Sequence, residues 1–177
     1  SMGSSFDVAS AGEIRRLSDM GIPGEHMIYV NPVKTQASLR LAAEFGVRKF
    51  TFDCESEIYK MAQFVPGSDV LLRVRIDNST ALVDLNKKFG AAPEDVLSLL
   101  RLARENGLHV RGLCFHAGSQ LLSTEPYQQA LELCRNLFDA AKKEGFSMEV
   151  LDIGGGLPVP APNMEFSLEQ MMKEIQT

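Results

Sequence analysis

The sequence contains few of the residues on which metal sites and disulfide frameworks depend. Its 177 residues include three cysteines, three histidines and no tryptophan. Cys54, Cys114 and Cys134 stand far apart and form no C-x-x-C pair, which argues against a zinc site or a disulfide-bonded scaffold. We therefore expect no bound metal, and the unpaired cysteines favour a reducing, cytoplasmic location.

Long apolar runs and clusters of positive charge are also missing. No apolar run approaches the roughly 20 residues that a membrane span requires. The formal net charge is −5, and no more than two basic residues stand side by side. Membranes and nucleic acids are therefore not expected as partners.

The first five residues do not show the charged segment followed by an apolar segment that is typical of a secretory signal. Residues 1–5, SMGSS, are therefore not a secretory signal, and we interpret them as an expression scar. Residues 6–177 are treated as one domain.

The chain does contain a repeated alternation of apolar runs and helical patterns. Five strands are predicted, and six helical segments lie before, between and after them. The first helix is predicted to begin with a capping box, Ser10 with Glu13 three residues later. Such alternation is typical of a parallel sheet, either an open doubly wound sheet or a (β/α)₈ TIM barrel. A barrel would be incomplete here, because a complete one takes about 250 residues. The predicted strands are residues 27–30, 49–52, 69–76, 110–116 and 148–153.

Three glycines follow the last predicted strand. Gly154, Gly155 and Gly156 place no Cβ in the way of converging backbone N–H groups, which makes an anion nest suited to a phosphate. Ser119, at the end of the neighbouring strand, can add a hydroxyl donor. The alternative is a simple turn before Pro158.

His116 lies in the stretch LCFHAGSQ, directly after an apolar run. Its residue type suits a metal ligand, a general base, a stacking platform or a satisfied core side chain. A metal is disfavoured because no second histidine stands at ligand spacing. A nucleophilic pair with Ser119 is disfavoured because no G-x-S-x-G elbow is present. Beside a phosphate nest, stacking on a planar ring is the most economical hypothesis.

Other charged residues lie within or after the predicted strands. A buried charge on Arg73 needs a partner, for which Asp7 is a candidate. Asp53 is expected to belong to the cap region of the following helix. Lys34 has the chemistry to form a Schiff base, but a solvated loop lysine is the simpler expectation.

Several motifs come in the order and spacing of a known family. They are FDVASAGEI, NPVKTQASLRLAAEFGVRKFTFDCESEI, LLRVRIDNS, KKFGA, GLCFHAGSQ and LDIGGGLP, and together they span residues 6–158. The chain thus resembles the barrel of the fold-type III decarboxylases, which bind pyridoxal 5'-phosphate (PLP) and include the ornithine, lysine, arginine and diaminopimelate decarboxylases. The resemblance implies a TIM barrel of the alanine racemase type, PLP as cofactor and a homodimer.

The resemblance also implies roles for particular residues. His116 would stack on the cofactor ring, and Ser119 with the three glycines would hold its phosphate. Arg73 and Asp7 would belong to the polar network beside the ring, and Glu13 is a weaker candidate for the same network. Residues 88–90 resemble part of the family's mobile active-site loop. The implied activity is decarboxylation of a basic amino acid, as in polyamine biosynthesis.

The chain departs from the family in features that matter for catalysis. The family's Schiff-base lysine lies on a strand upstream of the FDxAS motif, and Lys34 matches a different family position. The acid that pairs with the pyridine nitrogen, the last barrel strands and the C-terminal β-domain are also not found. We therefore expect a decarboxylase fragment with no catalytic residue of its own, inactive alone. The alternative is a non-catalytic homologue that binds a protein partner.

Overall fold

Parallel strands and helices alternate along the chain in the computed structural model, which describes residues 5–76, 88–119, 121, 123–158 and 167–176. The strands are β1 (Phe6–Val8), β2 (Met27–Tyr29), β3 (Lys49–Phe52), β4 (Asp69–Arg73), β5 (His109–Cys114) and β6 (Val150–Asp152). The α-helices are α1 (Ala11–Asp19), α2 (Gln36–Glu44), α3 (Glu55–Phe64), α4 (Val96–Glu105), α5 (Glu125–Lys143) and α6 (Leu168–Gln176). Within the described ranges, short 3₁₀ helices at Gly24–His26 and Pro93–Asp95 precede β2 and α4.

The six described strands form one parallel sheet whose spatial order is the chain order, from β1 to β6. An open doubly wound sheet reverses its order beside the first strand. The observed order excludes that alternative and is the order of a (β/α)₈ barrel. The predicted architecture, an incomplete barrel, is confirmed.

The strand β1 was not predicted. It pairs with β2, so that Asp7 stands opposite Ile28. Three residues are too few to display a period of two, and the charge of Asp7 interrupts the apolar pattern. The strand ends also differ from the prediction, because β5 ends at Cys114 and leaves His116 in the loop beyond it.

Alternate residues of the central strands face opposite sides of the sheet. Phe50, Phe52 and Leu72 are fully buried in the core cluster that also contains Leu39 and Ile58 of the helices. The residues between them face the other side, where they line cavities; they include Lys49, Thr51, Asp69, Leu71 and Arg73. The helices therefore cover one face, and the opposite face carries the polar and charged strand residues.

Local sequence signals explain where the helices begin. The predicted capping box is present at α1, where the Ser10 hydroxyl accepts from Glu13 N at 3.3 Å and Glu13 Oε2 accepts from Ser10 N at 3.1 Å. Thr35 caps α2 by accepting from Ser38 N at 3.1 Å. Among the helices of the described ranges, none has the length and apolar character needed to cross a membrane.

Candidate functional site

A cavity of about 240 Å³ lies at the carboxyl ends of the strands. This is the end at which parallel barrels place their active sites. It is lined by Asp7, Val30, Thr51, Arg73, Phe89, Cys114, Phe115, His116, Asp152, Gly154 and Gly155. Five of the seven predicted site residues are therefore brought to one place.

The glycine run after β6 adopts a backbone that side chains would obstruct. Gly154 and Gly156 have φ angles of +69° and +94°, in the region that favours glycine. A Cβ on Gly156 would lie 1.6 Å from the carbonyl oxygen of Gly118, and one on Gly154 would lie 2.4 Å from that of Phe115. At Gly155, by contrast, a Cβ would meet nothing within 4 Å. The loops after β5 and β6 therefore pack backbone to backbone, and Gly155 presents an open face.

Hydrogen bonds fix this run in place. Gly154 N donates to Asp152 Oδ1 at 2.8 Å, and the Tyr127 hydroxyl donates to the carbonyl oxygen of Gly155 at 3.0 Å. Leu121 N donates to the carbonyl oxygen of Gly156 at 3.2 Å. Within the described part of the chain, the N–H groups of Gly155 and Gly156 donate to no protein acceptor. The run thus has the fixed backbone of a nest, in which these N–H groups are suited to bind an anion.

His116 lies against this nest. Its Nδ1 is 3.1 Å from where a Cβ of Gly154 would be, and its Cε1 is 3.3 Å from the equivalent point on Gly156. Burial lowers the pKa of the imidazole, the positive charge of Arg73 lowers it further, and Asp152 opposes both. The ring is therefore neutral at pH 7 and presents a flat surface without charge.

Two carboxylates line the cavity, that of Asp7 on β1 and that of Asp152 on β6. Burial raises the pKa of Asp7, and the nearby negative charge of Asp152 raises it further. Asp7 therefore holds a proton more readily than a solvated aspartate does. Glu13, the third acid suggested by the resemblance, is exposed and belongs to the α1 capping box.

Arg73 does not form the predicted ion pair with Asp7. No such pair is found among the described residues, although both line the cavity. The guanidinium of Arg73 instead lies over the ring of Phe89, with Cζ 5.4 Å from the ring centroid. The two side chains therefore share the cavity without forming an ion pair.

Asp53 lies in the cap region of α3 as predicted, directly before the N-cap residue. The N-cap residue of α3 is Cys54, and no side chain makes a cap hydrogen bond there. Asp53 Oδ2 instead accepts from Gly90 N at 2.9 Å, which links the end of β3 to the segment that includes Phe89.

The prediction of a solvated Lys34 was also wrong. The residue is 2% exposed, and its Nζ donates to the carbonyl oxygens of Asn31 at 3.1 Å, Pro32 at 2.9 Å and Thr51 at 2.6 Å. It also forms an ion pair with Glu57 Oε2 at 3.3 Å. Burial lowers its pKa to about 8, against the opposing effect of Glu57. Lys34 ties strand ends together, and none of the described residues that line the cavity is a lysine.

The remaining predicted residues lie beside the cavity or outside the part of the chain that the structure describes. Gly156 belongs to the nest but not to the cavity wall, and Ser119 follows Gly118, whose carbonyl contacts Gly156. Residues 77–79, predicted to follow β4, lie outside the described residues.

Sequence reasoning missed Asp152 and Tyr127, and it named Phe89 only as part of a segment that resembles an active-site loop. Asp152 stands two residues before the first glycine, a spacing that allows an Asx-type contact to the glycine N–H and could have indicated it. The contacts of Phe89 and Tyr127 join distant parts of the chain, and no local pattern indicates them.

An incomplete parallel barrel with an anion nest and a neutral aromatic platform at its carboxyl end defines a domain that binds a phosphorylated ring cofactor. The family model for the pyridoxal-dependent decarboxylase, pyridoxal binding domain, matches residues 1–177. The chain therefore belongs to this family, whose cofactor is pyridoxal phosphate.

Individual relatives agree with this assignment. A lysine/ornithine decarboxylase of Selenomonas ruminantium is 54% identical over 175 residues, which is 98% of this chain and 44% of that protein. The ornithine decarboxylase of Mus musculus is 41% identical over 157 residues, 89% of this chain and 34% of that protein. A crystal structure of SrLDC with PLP and cadaverine has a TM-score of 0.90 and 50% identity, covering 98% of this chain and 44% of that one.

The chain thus spans less than half the length of the relatives that it matches. The relatives named above are decarboxylases, so they do not favour the non-catalytic alternative.

The cavity fits PLP on its own features. Its volume, about 240 Å³, lies just below the roughly 300–1,000 Å³ of pockets for drug-sized ligands, as suits a single-ring cofactor. The open face at Gly155 leaves room for a phosphate, and the neutral His116 ring does not repel a protonated pyridine.

Proposed function

We propose that this chain supplies the cofactor-binding part of the active site of a PLP-dependent carboxy-lyase that acts on lysine or ornithine. The observation that carries the proposal is the meeting of His116, the glycine nest, Arg73 and Asp7 around one cavity. The name of the lysine/ornithine decarboxylase, 54% identical, supports the substrate class.

Each residue then has a distinct task. The N–H groups of Gly155 and Gly156, with the hydroxyl of Ser119, would hold the phosphate. His116 would provide the surface for the ring, and its lowered pKa keeps that surface uncharged. When bound, PLP supplies the electron sink that allows the substrate carboxyl group to leave as CO₂.

The two charged residues of the cavity would complete the polar surroundings. Arg73 provides a fixed positive charge facing the cavity, suited to an anionic group of the cofactor or the substrate. Asp7, whose pKa is raised by burial, provides a carboxyl group that faces the cavity and is suited to a hydrogen bond with a polar ring substituent.

We further propose that the protein acts as a cytoplasmic homodimer in polyamine biosynthesis. Ornithine decarboxylases among the relatives support this metabolic role. The free state of all three cysteines in the structure agrees with a reducing compartment.

The test is the release of CO₂ from lysine and from ornithine by the full-length natural protein, with and without added PLP. We expect release from at least one of the two only with PLP, and a strong loss in His116→Ala. The absence of PLP-dependent release from both amino acids would contradict the proposal.

A further inference from the structure

The carboxylate of Asp53 contacts a part of the chain that lies 37 residues away in sequence. Its Oδ2 accepts a hydrogen bond from Gly90 N at 2.9 Å. Hydrogen bonds to a charged acceptor are roughly twice as strong as neutral ones. Because the cap of α3 makes no use of this carboxylate, the bond to Gly90 is its one described hydrogen bond.

The segment around Gly90 is also attached to β4. Ala91 N donates to the carbonyl oxygen of Arg73 at 2.9 Å, and Arg75 N donates to that of Ala91 at 2.9 Å. Gly90 has a φ angle of +100°, and a Cβ there would lie 2.7 Å from Arg75 N. The backbone at residue 90 is thus held between the end of β3 on one side and the continuation of β4 on the other.

This attachment determines where Phe89 lies. The Phe89 ring lines the cavity and contacts the guanidinium of Arg73, which lines it as well. The two side chains therefore form one wall of the cavity, which we call the Arg73–Phe89 wall. Asp53 itself does not line the cavity.

We propose that Asp53 is a positioning residue that, through Gly90, holds Phe89 against Arg73 and thereby fixes the wall of the cofactor cavity. This inference rests on the proposed function, because the ligand of the cavity is taken to be PLP. Asp53 acts without touching the cofactor, and its loss releases Phe89 while leaving the glycine nest intact.

The experiment compares Asp53→Ala and Asp53→Asn in the full-length natural protein. Trypsin cleavage after the exposed Lys88, mapped by mass spectrometry, measures how firmly the segment is attached. PLP affinity by absorbance titration measures the cavity. Asp19→Ala, an exposed aspartate of α1, is the matched control.

In Asp53→Ala we expect about tenfold faster cleavage and about tenfold weaker PLP affinity, the size of effect that the loss of one charged hydrogen bond allows. Asp53→Asn is expected to recover most of both, because its amide oxygen can accept the same bond. Wild-type behaviour of Asp53→Ala, or no recovery in Asp53→Asn, would overturn the inference.

A second variant keeps the test decisive if Asp53→Ala fails to fold. Phe89→Leu retains the bond between Asp53 and Gly90 but removes the ring from Arg73. We expect weaker PLP affinity with an unchanged cleavage rate, and unchanged affinity would overturn the role of the wall. If the wild-type protein itself binds no PLP, the proposed function fails, whereas the cleavage comparison still reports on the attachment by Asp53.

Discussion

The carbonyl oxygen of Gly118 occupies the place where a side chain on residue 156 would begin. A Cβ at position 156 would lie 1.6 Å from it, far inside van der Waals contact. This contact joins the loop after β5, which carries His116 and Ser119, to the loop after β6, which forms the anion nest. The loop that carries the proposed ring platform and the loop that carries the proposed phosphate site are therefore in direct backbone contact.

Gly156→Ala and Gly155→Ala are expected to differ sharply. Gly156→Ala meets both the clash with Gly118 and a φ of +94°, so we expect a loss of at least about 1–3 kcal/mol of unfolding free energy. Gly155→Ala meets no atom within 4 Å, so its stability should stay within about 1 kcal/mol of wild type. Urea denaturation of both variants measures this, and equal destabilisation would contradict the described nest.

Tyr127→Phe tests the support beneath the nest. The change removes the hydroxyl that donates to the Gly155 carbonyl at 3.0 Å, while the ring contact with Phe115 is retained. We expect a loss of about 1 kcal/mol of stability and a weaker affinity for PLP. Thermal denaturation and absorbance titration measure the two effects. An affinity identical to wild type would show that Tyr127 does not support the nest.

The pKa of His116 makes a prediction about pH. Because burial lowers this pKa, the unfolded chain takes up a proton near pH 6.5 while the folded chain resists it. The unfolded state then binds more protons, so the folded state loses stability as the pH falls below about 6.5. His116→Phe should lose less stability between pH 7 and pH 5 than the wild-type protein. Parallel slopes in denaturation experiments would argue against a buried, neutral His116.

Lys34→Met is expected to destabilise the protein without removing a cofactor ligand. It leaves three carbonyl oxygens without their donor, whereas Glu57 keeps its ion pair with Lys60, so we expect a loss of at least about 1–3 kcal/mol. Lys142→Met, at an exposed position at the end of α5, should cost a few tenths of a kcal/mol. A small effect at Lys34 in chemical denaturation would contradict its structural role.

The same residue gives a dependence on alkaline pH. With a folded-state pKa of about 8 and an ordinary value of 10.5, Lys34 loses its proton earlier in the folded chain than in the unfolded one. The unfolded state binds more protons between these values, so this residue adds stability as the pH rises from 8 to 10.5. The difference in stability between the wild-type protein and Lys34→Met should therefore grow over this range. A constant difference would mean that the lysine titrates normally.

Features encoded by neighbouring residues could be predicted from the sequence. The capping box of Ser10 and Glu13 lies within four residues, and the glycine nest lies within three, so composition and spacing suffice for both. The alternation of strands and helices likewise follows from local periodicity, and it led to the barrel. The position of His116 beside the nest required in addition that β5 and β6 be neighbours.

Features that depend on distant contacts were missed or assigned wrongly. Asp53 has the pattern of a helix cap, and only the fold brings Gly90 to it. Lys34 has the pattern of a solvated loop residue, because the carbonyl oxygen of Thr51 that helps to bury it comes from the next strand. The expected pair of Asp7 and Arg73 was wrong as well, since the guanidinium lies over the ring of Phe89, which comes from a later part of the chain.

The most direct test of the central claim is an absorbance titration of the full-length natural protein with PLP, repeated for Gly155→Ala and His116→Ala and in the presence of inorganic phosphate. We predict saturable binding that phosphate competes away and that each substitution weakens by tenfold or more. Borohydride reduction followed by peptide mapping should leave Lys34 unmodified. Unchanged PLP affinity in both variants, or a specific adduct on Lys34, would contradict the assignment of this cavity as the cofactor site.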